Sequence, residues 1–177
     1  MRLIAMQSKK WIGESFLDLL SIKPLNSITI NEIAQNAELD RRTFYRHFKT
    51  KEDVISFFIH EEAKKCAEAL RQNKEIGNFT IAKAFFGACV EMKEMLIILY
   101  KQNILHLFLV ELNLLFPKYQ QQLADQKELQ MENRDFLLAY HIGGFWNLLI
   151  KWLDDNCNNT PEQMAEIVEQ VFLFQQI

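Results

Sequence analysis

The sequence predicts an all-α fold, in which an N-terminal three-helix domain with a helix-turn-helix is followed by a larger helical domain. Three observations predict it. The 177 residues include only three prolines and five glycines, so helix breakers are scarce. Apolar residues recur at helical spacing, and no alternating strand pattern stands out. Side chains that cap helices also stand at intervals along the chain.

The first two helices are predicted from local signals near the N-terminus. Helix 1 is expected from Leu3 to Ile22 and helix 2 from Ile30 to Asn36. Thr29 and Glu32 have the spacing of a capping box, in which each side chain accepts a hydrogen bond from the other residue's backbone N–H. This pair predicts that helix 2 begins directly after Thr29.

Helix 3 is predicted from Arg41 to Phe48, with Asp40 as its N-cap. Leu39, Phe44 and Phe48 are expected to pack against helix 2. The opposite face carries polar and basic side chains: Arg41, Arg42, Thr43, Tyr45, Arg46 and His47. Two short helices joined by a tight turn, the second of them basic, fit a helix-turn-helix whose second helix enters the DNA major groove.

The chemistry of helix 3 favours DNA contact over the alternative, a solvated basic surface. Arginine forms bidentate hydrogen bonds to guanine, worth about 1–3 kcal/mol of discrimination, and the first residues of a recognition helix reach the base edges. Arg41, Arg42 and Thr43 are therefore the predicted base contacts. Tyr45, His47 and Lys51 are the predicted phosphate contacts, which position the protein without reading sequence. The complete predicted set of DNA-binding residues is Thr29, Asn31, Arg41, Arg42, Thr43, Tyr45, Arg46, His47 and Lys51.

The later helices are predicted from apolar periodicity and further caps. Helix 4 is capped by Thr50, and Pro161 stands at the first position of the last helix. The predicted segments are 51–73, then one or two helices over 79–103, a helix over 104–116 ended by Pro117, a polar and partly loop segment over 118–132, and a long helix over 131–156. The domain boundary is predicted at 50/51, giving domains 1–50 and 51–177.

The net charge of −3 is unevenly distributed. Residues 1–51 hold nine Lys/Arg and five Asp/Glu, whereas the remainder is acidic. A positive segment that coincides with the helix-turn-helix is what binding to the DNA backbone requires.

Several classes of protein are excluded by missing motifs. There is no nucleophile elbow, phosphate loop, zinc-protease motif or suitably spaced Cys/His pair, so no enzyme, catalytic residue, metal or cofactor is predicted. No apolar run is long enough to span a membrane, and no signal peptide is recognisable. Cys66, Cys89 and Cys157 fit free thiols in a reducing bacterial cytoplasm.

The N-terminal segment resembles the DNA-binding domain of the TetR family of bacterial regulators. The resemblance is carried by Ile28-Thr29-Ile30, Ile33-Ala34, Ala37, Leu39, the run Thr43-Phe44-Tyr45-Arg46-His47-Phe48, and Lys51-Glu52. It implies a double-stranded DNA operator, a homodimer, and a helical C-terminal domain for effector binding and dimerisation. Glu38 departs from the family pattern, which has Gly in the turn. A non-glycine residue at positive φ there is expected to cost about 1 kcal/mol.

The long helix before the last has two apolar seams, which predicts burial on two sides. The resemblance implies that such helices pair between two protomers, while packing within one domain is the alternative. The predicted interface residues are Leu138, Ile142, Phe145, Leu149, Trp152, Val168 and Val171.

An effector pocket is the second expectation for this domain. The predicted lining is Phe85, Phe86, Met92, Tyr100, Phe108, His141 and Trp146, with ordinary core packing as the alternative for each. The sequence thus predicts a homodimeric DNA-binding regulator, a repressor that a small-molecule effector releases. The alternative is a coactivator or protein-binding module of the same fold without such an effector.

Overall fold

The computed structural model describes residues 2–73, 76–123 and 132–174. In these ranges the chain forms nine α-helices and a short 3-10 helix, η1, but no strand. The helices are α1 (Arg2–Ile22), α2 (Ile30–Asn36), α3 (Arg41–His47), α4 (Glu52–Arg71), α5 (Asn78–Glu91), α6 (Lys93–Lys101), α7 (His106–Leu123), α8 (Arg134–Asp154) and α9 (Pro161–Phe174), with η1 at Leu25–Ser27. This confirms the predicted all-α class. None of the helices described is long and apolar enough to cross a membrane.

The chain divides into two compact units. The first contains Met1–Ile59 together with Glu94–Phe108, and the second contains His60–Lys93 together with Leu109–Ile177. α6 therefore belongs to the same compact unit as the helix-turn-helix. The functional boundary at 50/51 remains a prediction.

In the first unit, α1, α2 and α3 pack on one another. Their core contains Phe16, Ile33 and Phe44, each fully buried. α1 also approaches α4 closely, because a Cβ on Gly13 would lie 2.1 Å from the Phe58 ring. Glycine at this position removes the side chain that would otherwise occupy the space of that ring.

The turn between α2 and α3 has the geometry of a Schellman motif. The N–H of Leu39 donates to the Ala34 carbonyl at 2.8 Å, and the N–H of Glu38 donates to the Gln35 carbonyl at 3.0 Å. Glu38 has φ 54°, in the left-handed region that favours glycine. The positive φ expected at Glu38 is confirmed.

In the second unit, α5 packs against α9. Ala82, Ala165 and Val168 form the buried centre of this contact. Small residues at the contact allow the two helices to approach closely. An aromatic cluster extends the core, with ring centroids of Phe86 and Trp152 6.0 Å apart.

Pro117 does not end a helix, contrary to the prediction. It lies inside α7, which continues to Leu123. An interior proline costs about 3 kcal/mol, because it lacks the N–H and crowds the preceding turn. Beyond the proline the helix makes side-chain contacts: Arg134 donates to the Gln120 side chain at 2.9 Å, and Arg71 donates to the Gln122 side chain. Residues 124–131, also predicted as partly loop, lie outside the described residues.

Candidate nucleic-acid interface

α3 is positioned by its N-cap and by its buried face. The Asp40 carboxylate accepts hydrogen bonds from the N–H groups of Arg42 at 2.8 Å and Thr43 at 3.1 Å. The bond from Thr43, followed by that from Arg42, lowers the pKa of Asp40. The predicted N-cap is therefore confirmed. The lowered pKa keeps the Asp40 carboxylate charged, and a negative charge at the N-terminus of a helix stabilises it.

The exposed face of α3 carries the two arginines expected to read bases. Arg41 and Arg42 are exposed, as are Tyr45 and Arg46. Arg41 Nη2 donates to the Tyr45 hydroxyl at 3.1 Å, and the guanidinium carbon lies 5.3 Å from the centroid of the Tyr45 ring. This contact pre-orders the Arg41 guanidinium, which reduces the side-chain entropy lost when it binds.

Thr43, the third predicted base contact, lies on the buried side of α3. It is only 9% exposed, and its hydroxyl faces Asp40 Oδ2 at 3.4 Å. A side chain so placed has little surface to offer a base. The assignment of base contacts therefore rests on Arg41 and Arg42.

Lys51 is tied to the segment that precedes α2. Its ammonium donates to the carbonyl oxygens of Leu25 at 2.6 Å and Ile28 at 2.8 Å. Two of its three N–H bonds are therefore used within the domain. No local sequence pattern indicates these two hydrogen bonds, because the accepting residues are more than twenty positions away along the chain.

Thr29 and Asn31 lie at the exposed start of α2. The Glu32 N–H donates to Thr29 Oγ1 at 3.2 Å, and the Thr29 N–H donates to Glu32 Oε2 at 2.8 Å, which confirms the capping box. A hydrogen bond from Lys23, then the bonds from Thr29, lower the pKa of Glu32 to about 2. The start of α2 is therefore fixed by an ionised carboxylate.

His47 is half-buried at the end of α3. Burial lowers its pKa most, and the charges of Lys9 and Arg46 lower it further. Lys9, on α1, lies over the Phe57 ring with its ammonium 4.4 Å from the centroid. Sequence reasoning did not single out Lys9, because only the fold brings α1 next to the end of α3.

The residues predicted to line a pocket do not all fall in one unit. Tyr100 and Phe108 belong to the first unit, and the other five belong to the second. In the second unit, the Phe85 ring centroid lies 5.1 Å from that of Phe86 and 4.9 Å from that of Phe145. These rings pack against one another as core residues do.

The predicted interface residues are mostly covered within the single chain. The buried ones are Leu138, Ile142, Leu149, Trp152 and Val168. These five side chains therefore pack in the core of the single chain. Apolar residues on the outside include Phe136, 78% exposed, and Tyr140, 59% exposed. An open groove beside Tyr140 is lined by Tyr140, His141, Gly144, Phe145, Leu148, Val168 and Val171.

A basic, exposed recognition helix behind a capped α2 defines a helix-turn-helix regulator of transcription. Residues 17–56 match the profile of bacterial regulatory proteins of the tetR family, and residues 80–173 match that of a transcriptional regulator C-terminal region. The second match covers more than half of the chain. The chain belongs to the TetR family of transcriptional regulators.

Individual relatives were found among curated proteins and solved structures. The HTH-type dhaKLM operon transcriptional activator DhaS of Lactococcus lactis subsp. lactis (strain IL1403) is 28% identical over 68 residues, 38% of this chain and 35% of the relative. The match thus spans about a third of the length of that relative.

Two solved structures are similar in fold. The fatty acid degradation regulator FadR from Bacillus halodurans has a TM-score of 0.60 at 16% identity, covering 94% of each chain. The dihydroxyacetone kinase operon activator DhaS has a TM-score of 0.58 at 20% identity, covering 95% of each chain.

Proposed function

We propose that this protein regulates transcription as a homodimer, with one α3 in each of two successive major grooves of an operator. The observation that carries the proposal is the exposed Arg41–Arg42 pair at the capped start of α3. Two arginines at this place can each pair with a guanine. Symmetric recognition helices about 34–36 Å apart match one turn of the duplex.

The proposed dimer forms through the outer side of α8 and α9. Phe136, Tyr140 and Val171 are exposed there, at 78%, 59% and 46%. Large apolar side chains gathered on a helical surface indicate a contact with another protein. A second copy is the partner that the twofold symmetry of an operator requires.

Selection from a randomised DNA pool tests the DNA-binding proposal. Wild-type protein is expected to enrich a two-half-site sequence, and Arg41→Ala combined with Arg42→Ala is expected to lose that enrichment. Lys49→Ala, an exposed cation outside α3, is the control. A pool that remains random with the wild-type protein would contradict the proposal.

Two modes of regulation are candidates for this protein. The first is repression that a small-molecule effector relieves, and the second is activation, or a protein-binding role, without such an effector. The name of the DhaS relative, a transcriptional activator, favours the second. A reporter gene placed behind the selected sequence separates them, because a repressor lowers its expression and an activator raises it.

A further inference from the structure

Gln102 occupies a fixed position at the C-terminal end of α6. The helix ends in a Schellman motif, with Asn103 at φ 58°. The N–H of Ile104 donates to the Leu99 carbonyl at 2.9 Å, and the N–H of Asn103 donates to the Tyr100 carbonyl at 3.0 Å. The backbone that carries the Gln102 side chain is therefore held by two hydrogen bonds.

The Gln102 side chain caps the C-terminal end of α1. Its Nε2 group donates to the carbonyl oxygens of Leu20 at 2.6 Å and Lys23 at 3.0 Å. The last carbonyls of a helix lack partners within the helix, so a donor from elsewhere stabilises that end. These contacts join residues 82 and 79 positions apart, all within the first compact unit.

The hydrogen bonds continue from Lys23 to the start of α2. The Lys23 ammonium donates to the Glu32 carboxylate, which also accepts the hydrogen bond from the N–H of Thr29. Gln102, Lys23, Glu32 and Thr29 thus form a continuous chain of contacts. It runs from the end of α6, past the end of α1, to the N-cap of α2.

We propose that Gln102 is a positioning residue for DNA recognition, which holds the end of α1 and, through Lys23 and Glu32, sets the placement of α2 beneath the recognition helix. α2 packs directly on α3, so a small shift of α2 moves Arg41 and Arg42 relative to the base edges. This inference rests on the proposed DNA-binding function. It makes α6 a part of the DNA-binding unit.

The chemistry of the site predicts which side chains can replace Gln102. Both partners are carbonyl oxygens, so the position needs a donor. Lysine supplies N–H donors and a positive charge, which suits a helix C-terminus, whereas glutamate matches the shape of glutamine but presents an acceptor and a negative charge. Alanine removes the contact.

The test compares Gln102→Ala, Gln102→Glu and Gln102→Lys with wild type on two duplexes. One duplex is the sequence that wild-type protein selects from a randomised pool, and the other is a random sequence of the same length. Losing the cap is expected to weaken binding to the selected duplex by about three- to tenfold. This is the change in affinity that corresponds to the loss of one hydrogen bond. Binding to the random duplex is expected to stay within about twofold, since the phosphate contacts remain. Gln102→Lys is expected to restore binding.

The matched control is Gln121→Ala, which alters an exposed glutamine on α7. If Gln102→Ala and Gln102→Glu match this control, or lose affinity for both duplexes equally, the positioning role is overturned. A double-mutant cycle with Lys23→Met adds an independent readout, because residues on one chain of contacts give non-additive losses. Strictly additive losses would contradict the proposed coupling from Gln102 through Lys23 to Glu32. This readout stands even if Gln102→Glu unfolds.

A measurement without DNA separates this inference from the proposed function. Hydrogen exchange of the amides over 30–36 is expected to be faster in Gln102→Ala than in Gln121→Ala, since the start of α2 is held less firmly. Unchanged exchange there contradicts the inference about Gln102. If the wild-type protein selects no duplex, the proposed function is contradicted. The exchange result then tests by itself whether Gln102 holds the start of α2.

Discussion

The Lys51 ammonium lies 2.6 Å from the carbonyl oxygen of Leu25, where it ties the start of α4 to the segment before α2. Lys51→Met keeps the aliphatic stem and removes the donor. Losing the two hydrogen bonds from this charged donor, to the carbonyls of Leu25 and Ile28, is expected to lower the free energy of unfolding by about 1–3 kcal/mol. Urea denaturation measures this, with the exposed Lys49→Met as control.

The same variant tests the phosphate role predicted for Lys51. A lost phosphate contact lowers the salt dependence of DNA binding by about one unit of slope. A purely structural lysine leaves that slope unchanged. A reduced slope at wild-type stability would show that the phosphate role dominates.

Glu38→Gly is expected to stabilise the protein. Glu38 adopts φ 54°, which costs a non-glycine residue about 1 kcal/mol and glycine almost nothing. The gain is expected as a raised midpoint in urea denaturation. Gln35→Gly is the control, because glycine inside α2 is expected to cost about 1 kcal/mol. Equal destabilisation by both changes would refute the strain at Glu38.

Arg41→Ala and Arg42→Ala are each expected to cost about 1–3 kcal/mol on the selected duplex and to relax preference at one base pair. Tyr45→Phe removes the hydroxyl that accepts from Arg41 and is expected to give a smaller loss. Fluorescence anisotropy on single-base variants of the duplex measures both effects. Equal losses on selected and random DNA would rule out base reading by these arginines.

Tyr140→Asp is expected to give folded monomers. Tyr140 is 59% exposed, so a charge there is tolerated in the single chain but disrupts an apolar contact between copies. Sedimentation measures the mass and circular dichroism the fold. Phe145→Asp instead damages the core, since the Phe145 ring centroid lies 4.9 Å from that of Phe85. A wild-type protein that sediments as a monomer at micromolar concentration would end the dimer proposal.

Glu32 is expected to make stability depend on pH in the acidic range. Its pKa falls from 4.5 to about 2 in the folded protein, first because of the hydrogen bond from Lys23. A lowered folded-state pKa gives stability that is present above pH 4.5 and is lost as the pH falls towards about 2. Glu32→Gln is therefore expected to be less stable than wild type at neutral pH, with the difference shrinking through that range. A difference of constant size would refute the role of the charge, and Lys23→Met should weaken the same pH dependence.

The sequence by itself determined the helix-turn-helix. α2 begins after Thr29 and α3 after Asp40, as predicted, because a cap joins residues only two or three positions apart. The positive φ of Glu38 could be predicted for the same reason, since it belongs to a local turn. The arginines of α3 were predicted on the exposed side because Phe44 and Phe48, at helical spacing, fill the buried side.

Only the tertiary structure decided which polar and apolar groups meet across long stretches of chain. Periodicity identified the apolar seams of α8, but the packing of the unit decided that Leu138 and Leu149 are buried and Tyr140 is exposed. Pro117 lies inside α7, whose continuation beyond it contacts Arg134 on another helix, a contact that no local pattern predicts. Lys51 and Gln102 cap backbone groups far away in sequence, and no local pattern encodes the partner of a side chain that the fold brings from another helix.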